Sequence, residues 1–372
     1  MWKKWISLLL ALVLVIGTVP TAQAYRDILL ENQEEVQDKI STAIGKDLDA
    51  VWNLTLAANV ISANIRWGDM EKIAATPGVS EVVPETLYEP CATIAGDAGP
   101  TAAAATTMTG SVQAWQAGYT GAGTRIAIID TGLDTDHQSV DNAAFLYALA
   151  EDAEAAGYEA DAYIQSLHLL DTAEIAGILP QLNICKDQKL DAQDLMVSDK
   201  IPFGYNYVDQ SFDVTHDHDT QGGHGSHVAS IAAANRFIST SSGFADANQI
   251  AHTVGVAPDA QLIVMKVFGK KGGAYDSDYM AAIEDAILLG CDSVNLSLGT
   301  AAPGFAIDAL CQDILESLRS TDTVVTISAG NSYAWPQYSV PGCLYERLHP
   351  LRGDRLQRTG ALLLYAWADL RV

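Results

Sequence analysis

The sequence predicts an α/β fold: a parallel sheet with helices on both faces, preceded by a small α+β unit. From Gly121 onward the strand-like runs are apolar throughout rather than alternating, and amphipathic helical stretches separate them. Before that point the segments are shorter and mixed in pattern. Strands apolar along both faces and joined by helices belong to parallel sheets, because both faces are covered. Chemistry in such sheets sits at the carboxyl ends of the strands.

In chain order, the first 24 residues read as a secretory signal peptide. Lys3 and Lys4 are followed by an apolar run from Ile6 to Gly17 and a small-residue cleavage site at Ala22-Gln23-Ala24. The apolar run is shorter than the roughly 20 residues a membrane span needs, so no stable span is expected. Residues 25–97 read as the α+β unit. Val51, Leu54, Leu56 and Val60 mark strand, Asp69 caps a short helix through Ile73, and Thr76-Pro77-Gly78 stops it before a strand over Val79–Val83. An alanine- and threonine-rich stretch from Gly96 to Thr109 reads as a linker and a processing region.

The sheet strands are expected at Ile126–Ile129, Leu262–Phe268, Val294–Leu298 and Val324–Ile327. A helix opens at Asp276-Ser277-Asp278, shows Met280, Ile283 and Ile287 on one face and closes at Gly290; another runs through Leu310, Ile314 and Leu318. Between the first two strands, residues 141–200 carry twelve acidic side chains against three lysines, with helical spacing at Phe145, Leu146 and Leu149. This stretch reads as a surface insertion with a solvated acidic face.

The net charge of −25 excludes a nucleic-acid partner, which needs clustered Lys and Arg to displace counterions. Cys91, Cys185, Cys291, Cys311 and Cys343 are odd in number and widely spaced, so no disulfide framework is expected and most read as small buried hydrophobes.

Three segments carry chemistry. Asp130 ends an apolar strand and Gly132 lets the backbone turn sharply after it, which suits a carboxylate that orients a base. A turn-capping aspartate would look the same in isolation. His224 lies between Gly222-Gly223 and Gly225, so backbone bulk is removed on either side of an imidazole that must reach a cleft as general base. A helix-capping histidine is the plainer alternative. Asn331 follows Ala329-Gly330 at the end of a strand, where a side-chain amide can donate to an oxyanion or simply form a turn. His216, His218 and His227 raise a metal alternative, but the H-E-x-x-H spacing of a metalloprotease is absent. His216 and His218 read as solvated, His227 as packed.

Taken together in chain order, D-T-G at 130–132, H-G-S-H-V-A-S at 224–230, N-L-S-L-G at 295–299 and S-A-G-N at 328–331 resemble the subtilisin-like serine proteases. The resemblance implies a subtilisin-like α/β fold, catalytic roles for Asp130 and His224, an oxyanion role for Asn331, and a substrate-pairing strand at Ser297, Leu298 and Gly299. It implies protein or peptide substrates, no required cofactor, and calcium as a possible ligand, with Asp134 and Asp136 reading equally well as ordinary turn carboxylates. Residues 51–90, with TPGVSEVVPE at 76–85, look like the family's inhibitory propeptide, a partner carried on the same chain. The likeness spans residues 110–335, and IPFGYNYVD at 201–209 with the MKVF run at 265–268 is similar to the large cell-envelope proteases of Gram-positive bacteria. A secreted location, extracellular or at the envelope, follows as an expectation.

Two departures stand out. Ser226 and Ser230 replace the threonine and glycine usual in the histidine motif. More seriously, the glycine-threonine-serine segment that supplies the nucleophile is missing, and only Ser332 and Ser339 follow Asn331. Cys343, after Pro341-Gly342, is a remote substitute. Five of the ten arginines fall in the last thirty residues, so residues 98–338 are expected to form a partial peptidase domain and residues 339–372 an aberrant tail from a shifted frame or truncated gene product. The expected function is that of a secreted serine endopeptidase whose 372-residue chain is inactive; the alternative is a non-catalytic secreted peptide-binding module.

Overall fold

The computed structural model describes residues 22–56, 58–85, 87–90, 109–185, 189–217, 219–250, 254–270, 272–299 and 321–328. The chain divides into two compact units, Met1–Pro84 and Glu85–Val372.

In the first unit, helix α1 (Ala22–Ile44) precedes an antiparallel pair, β1 (Asp49–Leu54) and β2 (Val60–Asn64), and then helix α2 (Met70–Ala74). Ile40, Trp52, Leu54 and Ile73 are buried. Gln33, also buried, spends its amide inside this unit, accepting from Asn53 Nδ2 at 2.7 Å and donating to the Leu54 carbonyl at 2.9 Å. A buried amide with both ends satisfied pins the helix to one register on the strands. Asp69 precedes α2 as expected but makes no side-chain cap; its carboxylate lies 3.7 Å from both Lys46 and Lys72. The strand expected at Val79–Val83 does not form: Val83 is half exposed and no ladder partner faces the segment. Apolar composition without a hydrogen-bonding neighbour is not enough to make a strand.

The second unit contains β3 (Leu87–Pro90), α3 (Ser111–Gln116), β4 (Arg125–Asp130), four insertion helices α4 (Asn142–Ala156), α5 (Ala160–Ser166), α6 (Thr172–Ile178) and α7 (Ala192–Leu195), then β5 (Phe203–Asn206) and α8 (His224–Ala233). A hairpin of β6 (Phe237–Thr240) and β7 (Gly243–Asp246) leads through α9 (Ala247–Ile250) to β8 (Gln261–Lys266), β9 (Ala274–Tyr275), α10 (Asp276–Leu288), β10 (Ser293–Leu296), β11 (Leu298–Gly299) and β12 (Val324–Ile327).

Five of these strands form one parallel sheet in the order β12-β10-β4-β8-β5. Alternate residues Ile128, Leu262 and Val264 pack against Ala229 and Ala233 of α8, while the intervening Ala127, Ile129, Ile263 and Met265 are buried too. Helix α10 lies against β4 and is buried at every position from Asp276 to Ala286 rather than along a single apolar face. The α/β fold expected from the sequence is therefore present. After β4 the chain fills one side of it with β5 and β8, then the other with β10 and β12. A sheet of this kind opens its crevice where the winding reverses, outside the carboxyl ends of the strands. Asp130 is the carboxyl end of β4.

The acidic face of the insertion is solvated as its composition implies: seven of its eleven described acidic side chains are exposed and none is buried, but several have fixed partners. Asp141, Asp171 and Asp191 accept from the backbone at the starts of α4, α6 and α7, as N-caps do. Glu174 holds both terminal nitrogens of Arg125, and Asp152 pairs with Arg236 at 2.6 Å. Five of the acidic side chains thus serve helix starts and arginines of the sheet unit. Val294–Leu298 also differs from expectation. It divides at Ser297, whose Oγ accepts from Asn295 Nδ2 at 2.9 Å, and β11 leaves the main sheet for another partner. The linker, the helix through Leu310, Ile314 and Leu318, the tail, and residues 1–21 lie outside the described residues.

Candidate active site

Asp130 is 1% exposed at the end of β4. Its Oδ1 accepts from the Thr131 backbone at 2.7 Å and lies 2.7 Å from Nδ1 of His224, whose side chain is 9% exposed. With Nδ1–H given to the carboxylate, the imidazole is held with Nε2 as the acceptor nitrogen, which is the tautomer a general base requires. Both bonds converge on Oδ1, and Oδ2 is buried without a partner among the described residues. An unspent buried acceptor is more characteristic of a functional site than of a core.

Three local features make this approach possible. Helix α8 starts after Gly223, which has no side chain to cap it, and Thr131 supplies the cap from the other segment: its Oγ1 accepts from the Gly225 backbone at 2.9 Å. A Cβ at Gly225 would collide with the Gly132 carbonyl and come within 3.2 Å of Asp130 Oδ1. Gly132 itself has φ of 104°, a conformation L side chains rarely adopt. Ser226, in place of threonine, still presents a hydroxyl and accepts from the Asp134 backbone at 2.8 Å.

A second element lies beyond the carboxyl ends of β8 and β10. There β9 and β11 are joined by β3 into a three-stranded antiparallel sheet with β3 in the middle. Pro90 and Glu89 face Leu298 and Gly299, and Leu87 and Tyr88 face Tyr275 and Ala274. Of the sequence-predicted strand Ser297-Leu298-Gly299, the last two residues thus pair with an extended segment of this same chain. Tyr88 is buried edge-on against Tyr279, with ring centroids 5.3 Å apart, and the Tyr279 hydroxyl donates to Asp276 Oδ1 at 3.0 Å. Gly273 gives Leu87 room: a Cβ there would stand 3.1 Å from Leu87 Cγ.

Asn331, Ser332, Ser339 and Cys343 lie outside the described residues, as does His218. His227 is exposed on α8 rather than packed, and His216 is half-buried rather than solvated. Among the described residues no three His, Cys, Asp or Glu side chains gather as metal ligands. Calcium needs six to eight oxygens, and Asp134 and Asp136 alone do not supply such a set. Cys291 is buried and Cys185 half-buried, and burial raises both thiols, Cys185 to about 11. Among the described residues, no helix is long and apolar enough to cross a membrane.

Sequence reasoning missed one feature beside the pair. Lys266 ends β8 in register with Asp130, is 1% exposed, donates to the Thr131 carbonyl at 2.6 Å and forms an ion pair with Asp219. The signal was present, because a lysine inside the apolar run Leu262–Phe268 has to be paired when both faces of its strand are buried.

Comparison with known proteins agrees with these motifs. A family model described as the subtilase family, peptidase S8, matches residues 121–346. The chain is 28% identical over 279 residues to the PII-type proteinase of Lacticaseibacillus paracasei and 29% identical over 279 residues to the PI-type proteinase of Lactococcus lactis subsp. cremoris. Each alignment covers 74% of this chain and 12% of the relative. It is 26% identical over 278 residues to the minor extracellular protease Vpr of Bacillus subtilis, covering 71% of this chain and 25% of that one. The chain therefore spans only a small part of these relatives' length. Fervidolysin from Fervidobacterium pennivorans, a keratinolytic enzyme related to subtilisin, superimposes with a TM-score of 0.47 and 18% identity, covering 83% of this chain and 40% of that one. Asp130, His224 and the Leu298–Gly299 strand all fall inside the matched span, and on that match the chain belongs to the subtilase family of serine peptidases.

Proposed function

We propose that this unit is built for peptide-bond hydrolysis by an Asp-His-Ser triad and that the 372-residue polypeptide carries the acid–base half of it. The observation that supports the reading is the 2.7 Å contact between Asp130 and Nδ1 of His224. In the reaction, Nε2 of His224 takes the proton of an attacking serine and returns it to the leaving amine, Asp130 steadies the imidazolium, and Asn331 donates to the oxyanion. Within the 372 residues no glycine-threonine-serine segment follows Asn331, so on this reading they hold the base without the attacking hydroxyl. In subtilisin itself, loss of the serine alone costs about 2 × 10⁶ in turnover. An intact Asp-His pair does not compensate.

The pairing of Leu87–Pro90 between β9 and β11 supports a second property, peptide binding without cleavage. Residues 25–97 act as an inhibitory propeptide on this reading, with Leu87–Pro90 as its substrate-like strand. Its release, on this reading, depends on the serine of the triad. Residues 1–24 direct export, and the mature chain starts at Tyr25 outside the cell.

The test is fluorophosphonate labelling and casein digestion by the purified chain, together with binding of a fluorescent Leu-Tyr-Glu-Pro peptide. Neither labelling nor digestion is expected, and labelling would refute the assignment of inactivity. Tyr88→Ala weakens the built-in strand by removing a buried ring pair worth about 0.5–1.5 kcal/mol beyond its area, so this variant binds the peptide more tightly than the parent chain. Equal binding by both would refute the cleft.

A further inference from the structure

We propose that Lys266 and Asp219 are positioning residues for the Asp130–His224 pair, an inference that rests on the acid–base role given to that pair above. The argument begins with what Lys266 touches. Its ammonium donates to the carbonyl of Thr131 at 2.6 Å and pairs with the carboxylate of Asp219; the two side chains are 1% and 3% exposed. Thr131 is already the junction of the site. Its N–H holds Asp130 Oδ1, and its Oγ1 holds the backbone of Gly225, one residue beyond His224. Asp219 lies in the loop that delivers His224 to the start of α8. The backbone of β8 completes the frame, because Val267 donates to the Asp130 carbonyl at 2.9 Å.

One buried ammonium therefore fastens the same two segments that Asp130–His224, Thr131–Gly225 and Asp134–Ser226 join. The Thr131 carbonyl fixes the turn after the carboxylate, and Asp219 fixes the approach to the imidazole. A buried ion pair is a poor way to gain stability, since an apolar pair of similar volume does as well or better. What it supplies instead is placement: an ammonium out of water must keep its acceptors, so the two segments that carry them are held beside it.

The test reads the Asp130–His224 hydrogen bond directly, by the solvent-exchange rate of the His224 Nδ1 proton in the histidine-labelled full chain. Asp219→Asn with Lys266→Met removes both charges and leaves neither buried alone. We expect exchange about tenfold or more faster than in the parent chain, as the local opening equilibrium shifts. Lys200→Met, which removes another buried lysine at the amino ends of the strands, should leave the rate unchanged. If the double variant does not fold, Asp219→Asn alone reads the same effect, with faster exchange expected. Parent-like exchange in a folded variant, or equal acceleration by Lys200→Met, overturns the proposal. The readout needs no nucleophile, so failure to cleave peptides does not bear on it.

Discussion

Two fully buried lysines are treated differently at the two ends of one sheet. At the carboxyl end, Lys266 meets a carboxylate, Asp219, and the Thr131 carbonyl. At the amino end, before β5, Lys200 meets the carbonyls of Pro258 and Ala260 at 2.8 and 2.7 Å and lies 5.0 Å from the centre of the Phe145 ring. The nearby Asp259 is held by Arg236 and reaches Lys200 only through space. Burial without a bonded countercharge pulls Lys200 down to about 7. Chain and depth are the same; the difference is whether opposite charge was brought in with the lysine. At the end that carries the Asp130–His224 pair the lysine holds a matched charge; at the other end Lys200 is held by neutral dipoles and a ring.

The sharpest way to break this contrast is to orphan one member of the matched pair. Lys266→Met or Asp219→Ala leaves a single buried charge and should cost about 3–5 kcal/mol, whereas removing both charges together should cost much less. Urea unfolding of the two single variants and the double variant decides it, and additive losses would mean the two groups do not act as a pair.

The next test uses pH. Lys200 binds its proton less tightly in the folded chain than in the unfolded one, so it opposes folding fully below pH 7 and this penalty is relieved as pH rises from about 7 towards 10.5. Asp285, buried beneath Asn183 and Tyr207, is raised to about 7 by burial, so its penalty is absent in acid and grows as pH rises from about 4 to 7. Each limb has a slope of at most about 1.4 kcal/mol per pH unit. Stability contributed by these two groups therefore passes through a minimum near neutrality. Thermal melts across pH should show Lys200→Met flattening the alkaline limb and Asp285→Asn the acid limb.

The smallest effect belongs to Ser226. Ser226→Ala removes the bond to the Asp134 backbone and should cost about 0.5–1.5 kcal/mol by thermal unfolding, while the threonine usual in this motif should restore it.

Much of this architecture is legible in the sequence because it rests on covalent neighbours. Ile126–Ile129 and Leu262–Phe268 are apolar on both faces and become central strands, and the glycines around Asp130 and His224 announce a close approach that Gly225 then makes. What escaped depends on partners distant in the chain. Val79–Val83 has better strand composition than Leu87–Pro90, yet the latter is the strand because β9 and β11 offer it hydrogen bonds on both edges. The acidic insertion is exposed as its composition says, but the use made of Glu174 and Asp152 was not legible, because Arg125 and Arg236, which take them up, lie outside it.

The seating of β3 between β9 and β11 also sets how any outside ligand must compete. A strand carried on the same polypeptide is presented to its groove at an effective concentration that reaches the millimolar range for short flexible tethers. A free peptide with equal intrinsic affinity would have to approach that concentration to take half the grooves, and the rate at which it entered would level off at the rate at which the resident segment let go.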